Sequence, residues 1–159
     1  MSKGADESKI RLLLVEDDLE VGQSITVMLV KRGLAVTLVA GAEEAISQFS
    51  PDDFDIVVTD IKLKGLSGIE LLRSIREKSA EFPVILLTGY DSVTTAIQAV
   101  RLGAQDYLVK PLDTIDDLLL PVKKAVDYYR LLRKSRGLEI DLLESESRYR
   151  TSIESAPYG

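Results

Sequence analysis

Short apolar segments alternate with amphipathic segments along the chain from about residue 10 to residue 133. Uninterrupted apolar runs are typical of strands that are buried on both faces of a parallel sheet. Apolar residues spaced three and four apart instead predict helices with one buried face. The pattern predicts five strands, at residues 10–15, 35–39, 55–60, 83–88 and 107–110, and five helices, at 19–32, 42–49, 68–79, 92–102 and from 114 onward.

Strict alternation of strands and helices predicts a parallel sheet with helices on both faces and right-handed crossovers. Ser92 is suited to cap the fourth helix, and Gly33 and Gly103 to end the first and the fourth. Pro121 lies inside the last predicted helix, where the missing N–H should kink the helix or restart it. Ligands of such sheets bind at the carboxyl ends of the strands.

Polar residues follow four of the predicted strands at their carboxyl ends. Glu16, Asp17 and Asp18 follow the first strand, although Asp17 or Asp18 is also suited to cap the first helix. Asp60 ends the third strand, Thr88 the fourth and Lys110 the fifth. Parallel strands bring these ends to one edge of the sheet, so the sequence predicts a cluster of acids with one hydroxyl and one amine.

Clustered carboxylates repel one another and therefore need a cation. Oxygen-only ligands favour Mg²⁺, Mn²⁺ or Ca²⁺ over zinc, and we expect Mg²⁺ with Mn²⁺ as a substitute. Asp17 and Asp60 are the candidates for direct ligands, and Glu16 for a ligand through water. Asp60 is also the candidate nucleophile, because its strand is central and aspartyl phosphate is an established covalent form. Lys110 and the Thr88 hydroxyl would then stabilise the transferred phosphoryl group.

Composition excludes several other kinds of chemistry. The 159 residues include no Cys and no His, which excludes disulfides, thiolate zinc sites and histidine catalysis by this chain. A net charge of −6 argues against a nucleic-acid partner, and the basic stretch at residues 123–136 is better explained as a solvated helix face. No apolar run approaches the length of about 18 residues that a membrane span needs, so we expect no membrane contact and a cytoplasmic location.

Four segments together resemble the receiver domain of two-component response regulators: LLLVEDD (12–18), IVVTDIKLKGLSG (56–68), VILLTGY (84–90) and DYLVKP (106–111). The resemblance implies an α/β, flavodoxin-like (βα)5 doubly wound sheet of strand order 2-1-3-4-5. It implies that Asp60 is the phosphoacceptor, Glu16 and Asp17 the acidic pair, Thr88 and Tyr107 the switch pair and Lys110 the site lysine. It also implies a cis Lys110–Pro111 bond and a backbone carbonyl of Lys62 that faces Mg²⁺.

The resemblance further implies the partners and the activity. The phosphoryl donor would be a sensor histidine kinase or a histidine phosphotransfer protein. The chain would not be an enzyme beyond Mg²⁺-dependent self-phosphorylation and slow self-dephosphorylation. From their positions two residues after Thr88 and after Asp60, we expect Tyr90 and Lys62 to hinder the attacking water and slow the dephosphorylation. Family members usually carry Pro where this chain has Lys64, so we expect the loop after Asp60 to be more mobile.

The residue pattern of the C-terminal part of the chain predicts a helix that relays a signal. We expect a disordered tail at residues 1–8, a receiver domain at 9–130 and a helical linker at 131–159. Residues 147–159 resemble the entrance to a PAS domain, so we expect this chain to be a piece of a longer protein. A modest heptad seam predicts a parallel homodimer through this helix. Its apolar positions are Tyr128, Leu131, Leu138, Leu142 and Tyr149, and its polar positions are Ser135, Ser145 and Ser152. Gly137 has a low helix propensity and is the expected weak point.

Two other functions fit a sheet of this kind. An aspartyl-nucleophile phosphatase typically needs a second acid two residues after the nucleophile, where this chain has Lys62. A flavin or nucleotide binder needs a Ser/Thr/Gly phosphate loop after the first strand, where the acids at 16–18 would repel phosphate.

Overall fold

The structure is a computed structural model that describes residues 9–89 and 93–154. Within these residues, strands and helices alternate as the apolar pattern predicts, and most bounds agree within one or two residues. The elements are β1 (Arg11–Val15), α1 (Leu19–Lys31), β2 (Ala35–Val39), α2 (Ala42–Gln48), β3 (Ile56–Asp60), α3 (Gly68–Lys78), β4 (Val84–Thr88), α4 (Val93–Arg101), β5 (Asp106–Val109) and α5 (Asp116–Glu154).

The five strands form one parallel sheet in the order β2-β1-β3-β4-β5. The predicted flavodoxin-like, doubly wound fold is thereby confirmed. The order reverses at β1, so β1 and β3 are neighbours although they are separated in sequence by α1, β2 and α2. The carboxyl ends of β1 and β3 thus border the crevice in which sheets of this kind bind ligands.

Alternate residues of the central strands face opposite sides of the sheet. Leu12 and Leu14 of β1 belong to a buried cluster that also contains residues of the neighbouring strands and of the helices α1 and α5. The intervening Leu13 is fully buried as well. Continuous apolar runs therefore mark strands with both faces covered, and the buried cluster comprises Ile10, Leu12, Leu14, Ile25, Leu29, Leu34, Ile56, Val58, Ile85, Leu87, Leu118, Leu119, Val122, Ala125 and Val126.

The two edge strands differ from the expectation of burial on both faces. In β5, Asp106 and Val109 are exposed, and only the two residues between them are half-buried. In β2, only Val39 is buried. An edge strand has a neighbour on one side only, so apolar residues remain partly in solvent there. Burial on both faces, which is typical of continuous apolar runs, therefore does not extend to β2 and β5.

Side-chain caps explain where two helices begin. The Asp18 carboxylate accepts a hydrogen bond from the Val21 N–H at 3.2 Å and caps α1, so of the two candidate caps the structure uses Asp18. The last helix begins at Asp116 rather than at residue 114. The reason is that the Asp117 carboxylate accepts from the N–H groups of Asp113 and Thr114, which holds that segment in a turn.

Of the two predicted effects of Pro121, a kink or a restart of the last helix, the restart does not occur. The helix α5 runs from Asp116 to Glu154 with Pro121 inside it. Pro121 lies in the second turn and removes a single intrahelical donor. Leu118 and Val122, which flank it, are fully buried, and their packing holds this part of the helix against the sheet.

The chain divides into two compact units, Met1–Val126 and Asp127–Gly159. The first contains the sheet and all of the buried cluster. In the second, the described backbone is helical as far as Glu154, and the Arg133 guanidinium lies 5.7 Å from the centre of the Tyr129 ring. Among the residues that the structure describes, no helix has the length and apolar character needed to cross a bilayer.

Candidate functional site

Strand register aligns the polar residues that the sequence places at the strand ends. Val15 of β1 pairs with Thr59 of β3, so Glu16 and Asp60 each lie one residue beyond this pair. On the other side, Asp60 pairs with Leu87 of β4, one residue before Thr88. Four neighbouring strands thus end within about one residue of one another, which brings together side chains from distant parts of the sequence.

Glu16, Asp17 and Asp60 form an acidic cluster. One carboxylate oxygen from each residue lies within 4.8 Å of the others. Glu16 and Asp60 are only 3% and 8% exposed, whereas Asp17 is half-buried. The predicted acids are therefore close together in space, and Asp17 is the most exposed of the three.

Lys110 joins two of these acids. Its Nζ donates to Oε1 of Glu16 at 2.8 Å and to Oδ2 of Asp60 at 3.1 Å. The lysine follows β5, and its own N–H donates to the carbonyl of Thr88 at 2.6 Å. The Lys110–Pro111 peptide bond is cis, as the resemblance implies. The ammonium group thus balances part of the negative charge at Asp60.

Burial and charge shift two pKa values in the site. Burial raises the pKa of Glu16, and the nearby charge of Asp60 raises it further, although the hydrogen bonds from Lys110 and from the Asp18 N–H oppose this. Burial alone would lower the pKa of Lys110, but hydrogen bonds to Glu16 and Asp60 outweigh it and the pKa is raised. Lys110 therefore carries its positive charge throughout the physiological pH range.

The acids differ in how their oxygens are used. Oε1 of Glu16 accepts from Lys110 and Oε2 from the Asp18 N–H at 3.1 Å, so both oxygens of this residue have donors. Asp60 uses Oδ2 for Lys110, and Asp17 uses Oδ2 for the Lys64 N–H at 3.1 Å. This donor set suits a hard cation such as Mg²⁺.

Gly68 allows close packing against the backbone of Asp60, which the pattern of residues did not predict. A Cβ atom at this position would collide with the carbonyl oxygen of Asp60 and would lie 3.0 Å from the Cα of Ile61. The Gly68 N–H also donates to the carbonyl of Ile61 at 2.9 Å. The start of α3 therefore packs directly on the backbone of Asp60. The sequence signal was a glycine at the first position of a helix, where most other residues would also be accepted.

Thr88 and Tyr107 lie on the two strands beyond Asp60. Thr88 ends β4 and is buried, and Tyr107 lies in β5 opposite Leu86. The Tyr107 hydroxyl oxygen is out of contact with solvent. In α4, which connects β4 to β5, Ile97 and Val100 are 45% and 75% exposed.

A cleft of about 790 Å³ opens beside Asp60 and Lys110. The exposed Lys62 lines it at the Asp60 end. The rest of the lining comes mainly from apolar residues of α1, of β4 and of the segment after β5, namely Val21, Ile25, Met28, Leu87, Pro111, Leu112 and Ile115.

Several residues with predicted roles in rate tuning, helix capping or dimerisation lie outside the part of the chain that the structure describes. Tyr90 and the proposed cap Ser92 lie outside the described residues, as do the side chains of Leu138, Leu142 and Tyr149. Tyr128 and Leu131 are described and are 57% and 65% exposed.

Comparisons with known proteins agree with this arrangement. The family model described as "Response regulator receiver domain" matches residues 12–123. The chain is 37% identical over 138 residues to the C4-dicarboxylate transport transcriptional regulatory protein DctD of Pseudomonas aeruginosa, covering 87% of this chain and 30% of that protein. It is 30% identical over 135 residues to the transcriptional regulatory protein FixJ of Bradyrhizobium diazoefficiens, covering 85% and 65%. The chain thus spans between about a third and two thirds of the length of these relatives.

Solved structures give the same result. A response regulator receiver domain protein from Clostridium thermocellum superposes with a TM-score of 0.73 at 32% identity, covering 77% of this chain and 98% of that one. The response regulator TrrA from Thermotoga maritima, solved in complex with Mg²⁺ and BeF, gives a TM-score of 0.66 at 30% identity, covering 73% and 98%.

Proposed function

Because this chain belongs to the response regulator receiver domain family, we propose that it accepts a phosphoryl group on Asp60 in a two-component phosphorelay. The donor is a phosphohistidine of a sensor histidine kinase or of a histidine phosphotransfer protein. The observation that carries the proposal is the position of Asp60: it is buried, bonded to Lys110 and grouped with two further acids.

Each residue has a part in the transfer. An Asp60 carboxylate oxygen attacks phosphorus, the new O–P bond forms as the donor's N–P bond breaks, and the imidazole of the donor leaves. Lys110 lies within hydrogen-bond distance of Asp60 and balances charge on the transferred group. The Thr88 hydroxyl, at the adjacent strand end, supplies a hydrogen bond to a phosphoryl oxygen. The cleft beside Asp60 gives the donor side chain access.

Magnesium is the cation that this donor set fits, with Mn²⁺ as a substitute. Asp17 and Asp60 would hold it directly and Glu16 through water, and the Lys62 carbonyl remains a predicted ligand. When bound, the cation supplies positive charge that neutralises the carboxylates and the incoming phosphoryl oxygens. The related TrrA structure contains Mg²⁺ and BeF, which supports the same use of the cluster here.

The chain is proposed to be a phosphoacceptor and not an enzyme that turns over a separate substrate. The relatives named above are response regulators and do not support the aspartyl-nucleophile phosphatase alternative, and Lys62 occupies the position of the second acid. Lys62 is exposed and lines the cleft, so it is placed to slow the loss of the phosphoryl group by hindering water. The half-life of the phosphorylated Lys62→Ala variant, compared with that of the wild type, tests this hindrance; an unchanged half-life would reject it.

Intact-mass analysis tests the proposed function. Incubation with acetyl phosphate and Mg²⁺ should add the mass of one phosphoryl group, and EDTA should prevent the addition. Labelling that persists in EDTA would contradict the assigned role of the cation cluster.

The switch is expected to act through Thr88 and Tyr107. A phosphoryl oxygen should draw the Thr88 hydroxyl inward and shift the population toward a state in which the Tyr107 ring fills the vacated space. We expect beryllofluoride with Mg²⁺ to change the NMR amide shifts of α4 and β5 most, while the shifts of α2 stay nearly constant. A spectrum that changes at Asp60 but not on the α4–β5 surface would contradict the switch.

The output is proposed to pass through α5 to a domain beyond this chain, with the PAS-like residues 147–159 as its entrance. The exposed Tyr128 and Leu131 support pairing of this helix in a parallel homodimer. Sedimentation should show dimers that form with rising concentration and that Leu138→Lys/Leu142→Lys disrupts. The matched control Lys123→Glu/Arg133→Glu changes two exposed residues that lie off the heptad seam and should still dimerise. A strict monomer, or an antiparallel dimer, would reject this relay.

A further inference from the structure

The Asp17 carboxylate is held by the loop between β3 and α3, whereas the other two acids of the cluster are held by Lys110. The Lys64 N–H donates to Oδ2 of Asp17 at 3.1 Å. Lys110 bonds Glu16 and Asp60 instead. Asp17 and Lys64 are 47 positions apart in sequence, so the contact is made only by the fold.

Among the three acids, Asp17 has the side chain that can most easily rotate away from the charge of the other two carboxylates. When no cation is bound, three carboxylates within 4.8 Å repel one another, and rotation of one side chain toward solvent relieves the repulsion. Glu16 and Asp60 are buried and bonded to Lys110, whereas Asp17 is half-buried. The hydrogen bond from Lys64 opposes rotation of Asp17 and keeps its carboxylate within the cluster.

The loop that supplies this N–H is itself anchored. The Gly68 N–H donates to the Ile61 carbonyl at 2.9 Å, which closes the loop at its two ends. The Leu66 N–H donates to Oε2 of Glu43 at 3.4 Å. Gly65 has a φ of +83°, and a Cβ atom there would lie 2.6 Å from the same Glu43 oxygen. The Lys64 N–H is therefore a donor in a constrained position.

We propose that the backbone N–H of Lys64 positions Asp17 and thereby raises the affinity of the acidic cluster for Mg²⁺. The inference deepens the proposed function, because it concerns the regulation of the same cation site. A proline has no N–H, so receivers with proline at this position lack the device. Lys64 in place of proline predicts a more mobile loop, but its backbone N–H forms a hydrogen bond that attaches the loop to Asp17. By linkage, the cation should in turn strengthen that bond.

The test compares Lys64→Pro with Lys64→Ala by calorimetric titration with Mg²⁺. Both variants remove the ammonium group, and only the proline removes the N–H. We expect Lys64→Pro to bind Mg²⁺ about fivefold more weakly than Lys64→Ala, a smaller loss than is usual for a hydrogen bond to a charged group because this one is exposed to solvent. Equal affinities of the two variants would overturn the proposal.

A measurement on the wild type covers the case in which the proline variant does not fold. Saturating Mg²⁺ should slow hydrogen exchange of the Lys64 amide by about fivefold, because the coupling is reciprocal. The Asp53 amide, which donates to the Ser50 carbonyl outside the site, serves as the control and should not change. Unchanged or faster exchange at Lys64 would overturn the proposal.

Failure of this inference is distinguishable from failure of the proposed function. A wild type that binds no Mg²⁺ and takes no phosphoryl group from acetyl phosphate would reject the function itself. A wild type that does both, with equal affinities in the two Lys64 variants, would reject only the positioning role of the N–H.

Discussion

Asp60→Asn is expected to abolish labelling by acetyl phosphate. The amide has nearly the same shape as the carboxylate, and its oxygen still accepts from Lys110, so the strand end should keep its structure. It does not carry the negative charge that the proposed transfer needs for attack on phosphorus and for binding of the cation. Intact-mass analysis after incubation with Mg²⁺ should therefore show only the unmodified variant, whereas the wild type gains one phosphoryl group.

The matched control is Asp18→Asn. Asp18 is next to the cluster in sequence, but its carboxylate caps α1 and an Asn side chain caps a helix equally well. Its backbone N–H to Glu16 is also retained. We expect this variant to be labelled like the wild type. Equal labelling of Asp60→Asn and Asp18→Asn would show that the phosphoacceptor is another residue.

Asp17→Asn is expected to weaken Mg²⁺ binding by about tenfold or more, because the charge of the ligands sets the affinity for hard cations. The same change removes one of three mutually repelling carboxylates. In EDTA, the free energy of unfolding should therefore rise, by a few tenths to about 1 kcal/mol for a part-exposed charge. Calorimetric titration with Mg²⁺ and urea unfolding in EDTA measure the two effects.

The opposite signs of these effects separate a lost ligand from general damage to the fold. A variant that is misfolded would lose both cation affinity and stability. Asp18→Asn again serves as the control and should bind Mg²⁺ like the wild type. An unchanged Mg²⁺ affinity in Asp17→Asn would remove this residue from the predicted ligands.

The sequence alone predicted the five strands and the residues at their ends. Both depend on local patterns: a buried strand needs a continuous apolar run, and a turn signal must follow it. Once the strands are known to be parallel, their carboxyl ends share one edge, so Glu16, Asp17, Asp60 and Lys110 could be grouped without coordinates. The structure confirms their proximity. Their chemical roles remain proposals.

Three features could be known only from the three-dimensional structure. They are the exposure of the edge strands, the start of the last helix and the effect of Pro121 on that helix. Whether an apolar strand is covered on both faces depends on its place in the sheet, which the residues of β5 do not encode locally. Whether a helix survives an internal proline depends on the packing that opposes the lost hydrogen bond. For Pro121 that packing comes from the buried Leu118 and Val122.

Backbone groups account for the rest of the site. Every residue except proline carries the same N–H and C=O, so side-chain patterns cannot tell which of them is used. Sequence reasoning could note that Lys64 is not proline, but its bond to Asp17 depends on the loop path between β3 and α3. The contact of Gly68 with the Asp60 carbonyl depends in the same way on how closely α3 approaches β3. Residue type thus marked which side chains meet at the sheet edge, and the packing of distant segments set the backbone contacts that hold them there.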